Sequence, residues 1–166
     1  MKVHLRTFGC RANQYDTERV RAMVVQGGHE IVDDATVADF AIFNSCAVTA
    51  EAERDLRRAV RKAAAGNPQL RSAVMGCASA LPASREAIQA LPSVGRVVAG
   101  ADLAGVAEAL GVSADAIPVS QQGARALLRV QDGCDEHCTF CATTLARGLN
   151  RSRDVEEIVR EATALA

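Results

Sequence analysis

The sequence predicts an α/β fold in which a parallel sheet is flanked by helices. Strand-like and helix-like stretches alternate along the first 111 residues, as they do in folds built from strand–helix–strand units. The stretch ADFAIFNS has the apolar character of a strand that is buried on both faces. With 166 residues, 49% of them hydrophobic, the chain is long enough for one such domain and the beginning of a second.

The elements follow in a regular order, and glycine and proline mark several of their ends. The first helix is ended by its two final glycines. The second carries Leu56 and Val60 at helical spacing and is stopped by Gly66 and Pro68. The predicted strands cover residues 2–9, 30–34, 38–45, 71–76 and 95–100, and the predicted helices cover residues 12–28, 50–68, 83–91 and 102–111.

The periodicity fails within VSADAIPVSQQG, which has the composition of a linker. The expected parts are an α/β domain over residues 1–111, a linker over 112–123 and a second unit over 124–166. The second unit contains a predicted strand at 124–133, a cysteine-rich loop, and a helix at 154–166 that Asp154 caps. A lone strand–loop–helix cannot bury its own faces, so this unit is expected to be the first part of a larger domain.

The composition excludes several classes of protein. The net charge is −1, so only local basic patches could bind nucleic acid. The N-terminal stretch lacks the apolar core of a signal peptide, and no apolar run reaches the roughly 18 residues of a membrane span. A cytoplasmic location with no membrane partner is therefore the default expectation. Six cysteines in a reducing compartment favour metal ligands, redox thiols or core residues over disulfides.

Three isolated cysteines, Cys10, Cys46 and Cys77, each follow a predicted strand directly and have a small residue before them. The carboxyl ends of parallel strands meet at one edge of the sheet, where such folds bind ligands, so the three are expected to converge. Each alone could be a small core residue. Together they favour an iron–sulfur cluster with one iron free of protein ligands over a zinc site.

The other three cysteines, Cys134, Cys138 and Cys141, share one short loop. Three thiolates in a tight turn can hold three irons of a cubane and leave the fourth open to a small molecule. A zinc knuckle with His137 as fourth ligand is the alternative, although no second Cys or His pair stands at zinc-finger spacing.

This loop resembles the radical S-adenosylmethionine signature, CxxxCxxC with an aromatic residue before the last cysteine. Its flanks, RVQDGCDEHCTFC and ARGLNRSR, are similar to those of the methylthiotransferase family. The stretches TFGCRANQYDTE, FNSCAVTAEAER and VMGCAS resemble the three-cysteine N-terminal domain of that family. NSCAVTAEAER is most similar to the branch that thiomethylates threonylcarbamoyladenosine beside the tRNA anticodon.

The resemblance implies two [4Fe–4S] clusters and S-adenosylmethionine as cofactors. The loop cysteines would hold the cluster that chelates and cleaves S-adenosylmethionine, with Phe140 beside the adenine and Arg147 in the active loop. Cys10, Cys46 and Cys77 would hold a second cluster that carries the sulfur to be inserted. The implied partners are the tRNA anticodon stem-loop and an electron donor such as flavodoxin or ferredoxin.

The chain departs from the family in two respects. Ala142, Thr143 and Thr144 stand where the family has two branched aliphatic residues and a proline. Family members also continue through a partial (β/α) barrel and an RNA-binding β-domain. The chain is therefore expected to be a truncated N-terminal fragment that ends after the first barrel unit and does not complete catalysis alone. The alternatives are a non-catalytic iron–sulfur or electron-transfer module, and a methylthiotransferase that acts on a ribosomal protein.

Two groups of basic residues are candidate phosphate contacts in a tRNA enzyme. Residues 54, 58 and 62 form a basic stripe on the second predicted helix, although a solvated helix face is the simpler interpretation. Arg147, Arg151 and Arg153 follow the cysteine loop. The polar residues after Cys10, namely Asn13, Gln14 and Asp16, are expected to cap the first helix rather than to line the cluster pocket.

Overall fold

A computed structural model describes residues 1–136, 138–139 and 141–166. Within these ranges, five parallel strands form one sheet in the order β2-β1-β3-β4-β5. The strands are β1 (Lys2–Thr7), β2 (Glu30–Val32), β3 (Phe40–Ser45), β4 (Arg71–Gly76) and β5 (Val94–Val97). The helices between them are α1 (Arg11–Gln26), α2 (Ala50–Gly66), α3 (Cys77–Ala80), α4 (Pro82–Gln89) and α5 (Leu103–Leu110), with a 3₁₀ turn at Ala35–Val37. The predicted sheet flanked by helices is confirmed.

Each face of the sheet packs against its own pair of helices. On β3, Ala41 and Phe43 belong to the core formed with α2 and α4, whereas the alternate residues Phe40 and Ile42 belong to the core formed with α1 and α5. This alternation follows from the two-residue period of a strand, and every residue of β3 is buried. The sheet is therefore doubly covered, which explains the near-continuous apolar sequence of its central strand.

Side-chain caps and charges fix where the helices begin. Thr49 accepts a hydrogen bond from the Ala52 amide, and Glu51 and Glu53 stand in the first turn of α2, where negative charge is favourable. Asp102 caps α5 in the same way, through the Gly105 amide. None of the helices formed by the described residues has both the length and the apolar character needed to cross a bilayer.

The strand order reverses between β1 and β3. The chain passes from β1 to β2 on one side and then returns across β1 to build β3, β4 and β5 on the other. In doubly wound sheets, the crevice outside the carboxyl ends of the strands at this switch point is where ligands bind. Cys10 and Cys46 follow the two strands that flank it.

The second unit contains less regular structure than the sequence predicts. The predicted strand over 124–133 is wrong for most of its length, because only β6 (Gln131–Asp132) pairs, antiparallel, with β7 (Arg151–Ser152). Between them lies a short helix, α6 (Thr143–Arg147), and after them comes α7 (Val155–Leu165). The cap at Asp154 is confirmed, since its carboxylate accepts from the Glu156 and Glu157 amides.

The second unit docks on α1 through buried charges. Asp16 on α1 is fully buried and pairs with Arg129 at 2.5 Å and with Arg147 at 2.8 Å. The Tyr15 hydroxyl donates to Glu161 at 2.9 Å, and Arg153 pairs with the same carboxylate at 2.7 Å. These contacts hold residues 124–166 against the sheet domain. The division at 111 and 123 stays a prediction.

Candidate functional site

The first cysteine group, Cys10, Cys46 and Cys77, lies at the carboxyl edge of the sheet. Cys10 is the residue before α1, Cys46 follows β3, and Cys77 is the first residue of α3 after β4. Cys10 is exposed, Cys77 is half-buried and Cys46 is buried. The 16-residue α1 begins directly after Cys10.

Two glycines bring the outer cysteines against the end of β3. Gly9 has φ +124°, and a Cβ there would lie 2.8 Å from the Cβ of Cys46. Gly76 has φ +97°, and a Cβ there would overlap the side-chain oxygen of Asn44 and the backbone of Ser45. Each glycine therefore supplies both a left-handed backbone and the room for close approach. The repeated Gly-Cys dipeptide is the sequence signal for this arrangement.

Asn13 connects the segments that carry the three cysteines. It is fully buried, and its amide nitrogen donates to the backbone oxygen of Ser45 at 2.6 Å and to the side-chain oxygen of Asn44 at 3.1 Å. Its Oδ1 lies 3.7 Å from the Cys10 sulfur and 3.8 Å from the Cys77 sulfur. The expectation that Asn13, Gln14 and Asp16 cap α1 is wrong, since α1 has no side-chain cap. The side-chain amide of Asn13 instead joins α1 to the end of β3 beside the cysteines.

Arg147 reaches this group from the second unit. Its side chain is only 6% exposed, and its Nη2 donates to Oδ1 of Asn13 at 3.1 Å and to Asp16 at 2.8 Å. Burial acts to lower the pKa of Arg147, but its acidic neighbours, Asp16 above all, outweigh burial and raise the pKa, so the guanidinium stays charged. Burial also raises the pKa of the Cys77 thiol, and Arg147 opposes that rise. A fixed positive charge thus stands beside the thiols.

The second cysteine group, Cys134, Cys138 and Cys141, is held mainly by contacts within its own loop. The Cys141 amide donates to the Cys138 oxygen at 3.1 Å, and the Cys134 amide donates to Gly148 at 3.2 Å. Hydrogen bonding by Thr143, whose amide lies 3.4 Å from the Cys141 sulfur, lowers the pKa of that thiol. Cys138 is exposed and the other two are partly buried.

The two cysteine groups lie on the same side of the molecule. α6, which begins two residues after Cys141, packs against α3, which begins at Cys77. Arg147, the last residue of α6, reaches past α3 to Asn13. Within the described residues, no three Cys, His, Asp or Glu side chains stand close enough to hold a single metal ion. A cubane spreads its ligands around a cage of iron and sulfide, so it takes cysteines that are further apart.

The remaining residues that the sequence predicted for the site lie in different environments. Phe140 and His137 lie outside the described residues. Ala142 is the N-cap residue of α6, and Thr143 and Thr144 are its first two residues. The Thr144 hydroxyl donates to the backbone oxygen of Glu136 at 3.1 Å. On α2, residues 54, 58 and 62 are exposed. In the second unit Arg151 is exposed, whereas Arg153 pairs with Glu161.

Sequence reasoning missed the polar residues that support the first cysteine group. Asn44 and Ser45 are buried at the end of β3, where the Ser45 hydroxyl donates to the Met75 oxygen at 2.5 Å. The Asn44 amide donates to the Asn13 oxygen at 2.8 Å. Polar residues at the end of an otherwise apolar buried strand are the signal that could have revealed them, since buried polar groups are retained where they are hydrogen-bonded.

Comparison with known proteins agrees with these features. A family model described as Uncharacterized protein family UPF0004 matches residues 2–100. Over 98% of its length, the chain is 32% identical to the threonylcarbamoyladenosine tRNA methylthiotransferase MtaB of Bacillus subtilis (strain 168). Over its whole length, it is also 32% identical to the protein of that name from Aquifex aeolicus (strain VF5).

A third relative carries a different enzyme name and is almost as similar to the chain. Over 99% of its length, the chain is 30% identical to the tRNA-2-methylthio-N(6)-dimethylallyladenosine synthase of Thermodesulfovibrio yellowstonii (strain ATCC 51303 / DSM 11347 / YP87). The chain spans only 40–45% of the length of these three proteins. The family model, however, covers more than half of the chain. These relatives confirm the predicted resemblance to the methylthiotransferases, and this protein is a member of the UPF0004 family.

Proposed function

We propose that this chain supplies the two cysteine sites of a radical S-adenosylmethionine tRNA methylthiotransferase. The first cysteine group holds one [4Fe–4S] cluster, and the second holds another, at which S-adenosylmethionine binds. The observation that carries the proposal is that α6 packs on α3, so that the two groups, distant in sequence, lie on one side of the molecule. A reaction that uses two clusters requires this proximity.

The donor set suits such clusters. Each group offers three thiols, and a cubane that is held by three thiolates keeps one iron open. When bound, the clusters supply one-electron chemistry and an iron site for S-adenosylmethionine or for the sulfur that is inserted. The exposed Cys10 and Cys138 leave each group open on one side, which gives these molecules access.

The protein itself positions and shields the first group. Asn13 fixes the end of β3 relative to α1, and the Arg147 guanidinium holds positive charge beside Cys77. Such outer contacts orient metal ligands and tune cluster potential. The burial of Cys46 keeps water from one side of the site.

The substrate we propose is threonylcarbamoyladenosine beside the tRNA anticodon. Support comes from NSCAVTAEAER, which resembles that branch, and from two relatives that carry this name at 32% identity. Since the chain spans less than half of those proteins, the complete activity, the tRNA partner and an electron donor such as flavodoxin or ferredoxin are part of the proposal.

Nucleoside analysis of tRNA tests this function. In a strain that lacks the gene, thiomethylated threonylcarbamoyladenosine should disappear, and the intact gene should restore it, whereas a gene with Cys46→Ala should not. Loss of thiomethylated dimethylallyladenosine instead would move the protein to the other tRNA branch. If both nucleosides persist, tRNA methylthiotransfer is excluded, and mass spectrometry of ribosomal proteins would then test the remaining substrate class.

A further inference from the structure

A cavity of about 660 Å³ opens beside the first cysteine group, on the face of the sheet that carries α1. Its floor is the end of β1, and its walls are the first turns of α1 and the segment Gln121–Leu127. β2 pairs only with Lys2–His4, so the β1 edge beyond His4 has no strand partner on that side among the described residues. The missing length of β2 leaves the space that forms this cavity.

The outer wall is a closed loop with defined contacts. The side-chain amide of Gln121 donates to the Leu127 oxygen at 2.8 Å and accepts from the Leu127 amide at 2.7 Å. The neighbouring Gln122 accepts from Arg21 at 2.9 Å, and so joins the loop to α1. The outer wall of the cavity is therefore held by hydrogen bonds, although residues 121–123 belong to the predicted linker and residues 124–127 to the predicted strand that does not form.

The groove is strongly basic, whereas the chain as a whole has a net charge of −1. Four arginines line it, and its one carboxylate, Glu18, is already paired with Arg21 at 3.3 Å. The other three arginines form no ion pair with any described residue. We call this site the arginine groove. Its guanidinium groups come from Arg11, Arg21 and Arg125, whereas Arg6 lines it at the end of β1 and places its own guanidinium over the Phe8 ring, 5.2 Å from the centroid.

Guanidinium groups of this kind suit phosphate. The planar fork of arginine donates two parallel hydrogen bonds to phosphate oxygens, and it remains charged at every physiological pH. Several arginines along an open groove match the repeated charges of a nucleic-acid backbone better than they match one small anion. Gln14 and Gln122 add side-chain amides, which also bond to phosphate and to the ribose 2′-hydroxyl.

We infer that the arginine groove binds the phosphate backbone of an RNA stem-loop. The inference rests on the proposed function for the identity of the RNA as tRNA. Arg11 follows Cys10 directly in the chain, so RNA that occupies the groove passes beside the first cysteine group. α2 packs on the opposite face of the sheet, and its exposed basic stripe is the competing RNA surface.

Fluorescence anisotropy tests the inference. The affinity of the 166-residue chain for a labelled RNA hairpin with the anticodon stem-loop sequence is measured over a range of salt concentrations. Arg11→Gln/Arg125→Gln should weaken binding. It should also reduce the steepness of the slope of log affinity against log salt by about 1.5, which is the contribution of two phosphate contacts. The matched variant Arg54→Gln/Arg58→Gln should leave both quantities unchanged. Circular dichroism shows whether each variant is folded, and Arg11→Lys/Arg125→Lys should retain most of the slope.

The outcomes separate this inference from the function on which it rests. If the α2 variant loses binding and the groove variant does not, the arginine groove is overturned while the nucleoside analysis still stands. If the groove variant binds with an unchanged slope, its arginines contact no phosphate, and the inference is again overturned. If the wild-type chain binds no hairpin even at low salt, both the groove and the role of this chain in tRNA binding are contradicted.

Discussion

The two cysteine groups are built in opposite ways. The first takes one residue from each of three distant segments and depends on the register of β1, β3 and β4 and on glycines that allow close approach. The second takes all its cysteines from residues 134–141 and is held by hydrogen bonds within one loop. The first group is therefore a property of the whole fold, whereas the second is a property of a short segment.

This difference predicts how each group responds to damage. Variants that disturb the sheet edge should release iron from the first group alone, and variants in the loop should affect the second alone. The contacts of Arg147 and Asp16 connect the two units, so variants there should show how far the groups depend on one another.

The largest effect is expected for Asp16→Ala. Without this buried carboxylate, Arg129 and Arg147 share only Asp132, at 3.4 and 3.1 Å, so one buried positive charge is left uncompensated. The free energy of unfolding in urea should fall by about 3–5 kcal/mol. Limited proteolysis should then cut within residues 124–166 first. The control is Glu108→Ala, which removes an exposed ion pair and should leave the free energy of unfolding almost unchanged. Equal losses of stability in the two variants would show that the buried charges do not hold the two units together.

Gly76→Ala should come next. The added Cβ requires an unfavourable left-handed backbone and overlaps Asn44 and Ser45, so we expect a loss of about 2–4 kcal/mol in stability and a selective loss of iron from the first group. Gly28→Ala is the matched control, since φ is also positive there but nothing lies within 4 Å. It should cost about 1 kcal/mol and retain all iron. Equal iron in both variants would refute the role given to Gly76.

Asn13→Ala should have an intermediate effect. It leaves the Ser45 oxygen without its donor and should lower the free energy of unfolding by about 1–3 kcal/mol, with reduced iron in the first group. Asn150→Ala is the comparison, because Asn150 is exposed and donates to Asp135 through its backbone amide. Similar results for the two variants would mean that Asn13 does not support the cysteines.

Thr144→Val should give the smallest effect. The substitution keeps the shape of the side chain but removes the hydroxyl that donates to Glu136, and we expect about 0.5–1.5 kcal/mol of destabilisation within the loop. Hydrogen exchange should increase in residues 134–147 and stay constant at the sheet edge. Increased exchange in β3 or β4 would show that the second group is less local than the contacts indicate.

The sequence predicted those parts of the molecule that depend on local pattern. The alternation of strand-like and helix-like stretches located the sheet strands. Cys10, Cys46 and Cys77 follow the ends of three of them, and a parallel topology places those ends at one edge. The role of Asn13 was not predictable, since asparagine is as suited to a helix cap as to a buried network. The burial of Arg147 depends on Asp16, which lies far away in sequence. The two-residue strands β6 and β7 are too short to leave a periodic signal.

The central claim is that the chain holds two separate iron–sulfur clusters. The most direct test is anaerobic reconstitution of the wild-type chain and of two triple variants, Cys10→Ala/Cys46→Ala/Cys77→Ala and Cys134→Ala/Cys138→Ala/Cys141→Ala, followed by assay of iron and sulfide per chain. Each triple variant should retain about half of the wild-type iron and sulfide, because each keeps one complete set of three thiolate ligands. Zinc in place of iron, or a triple variant that loses all its iron or none, would contradict the claim.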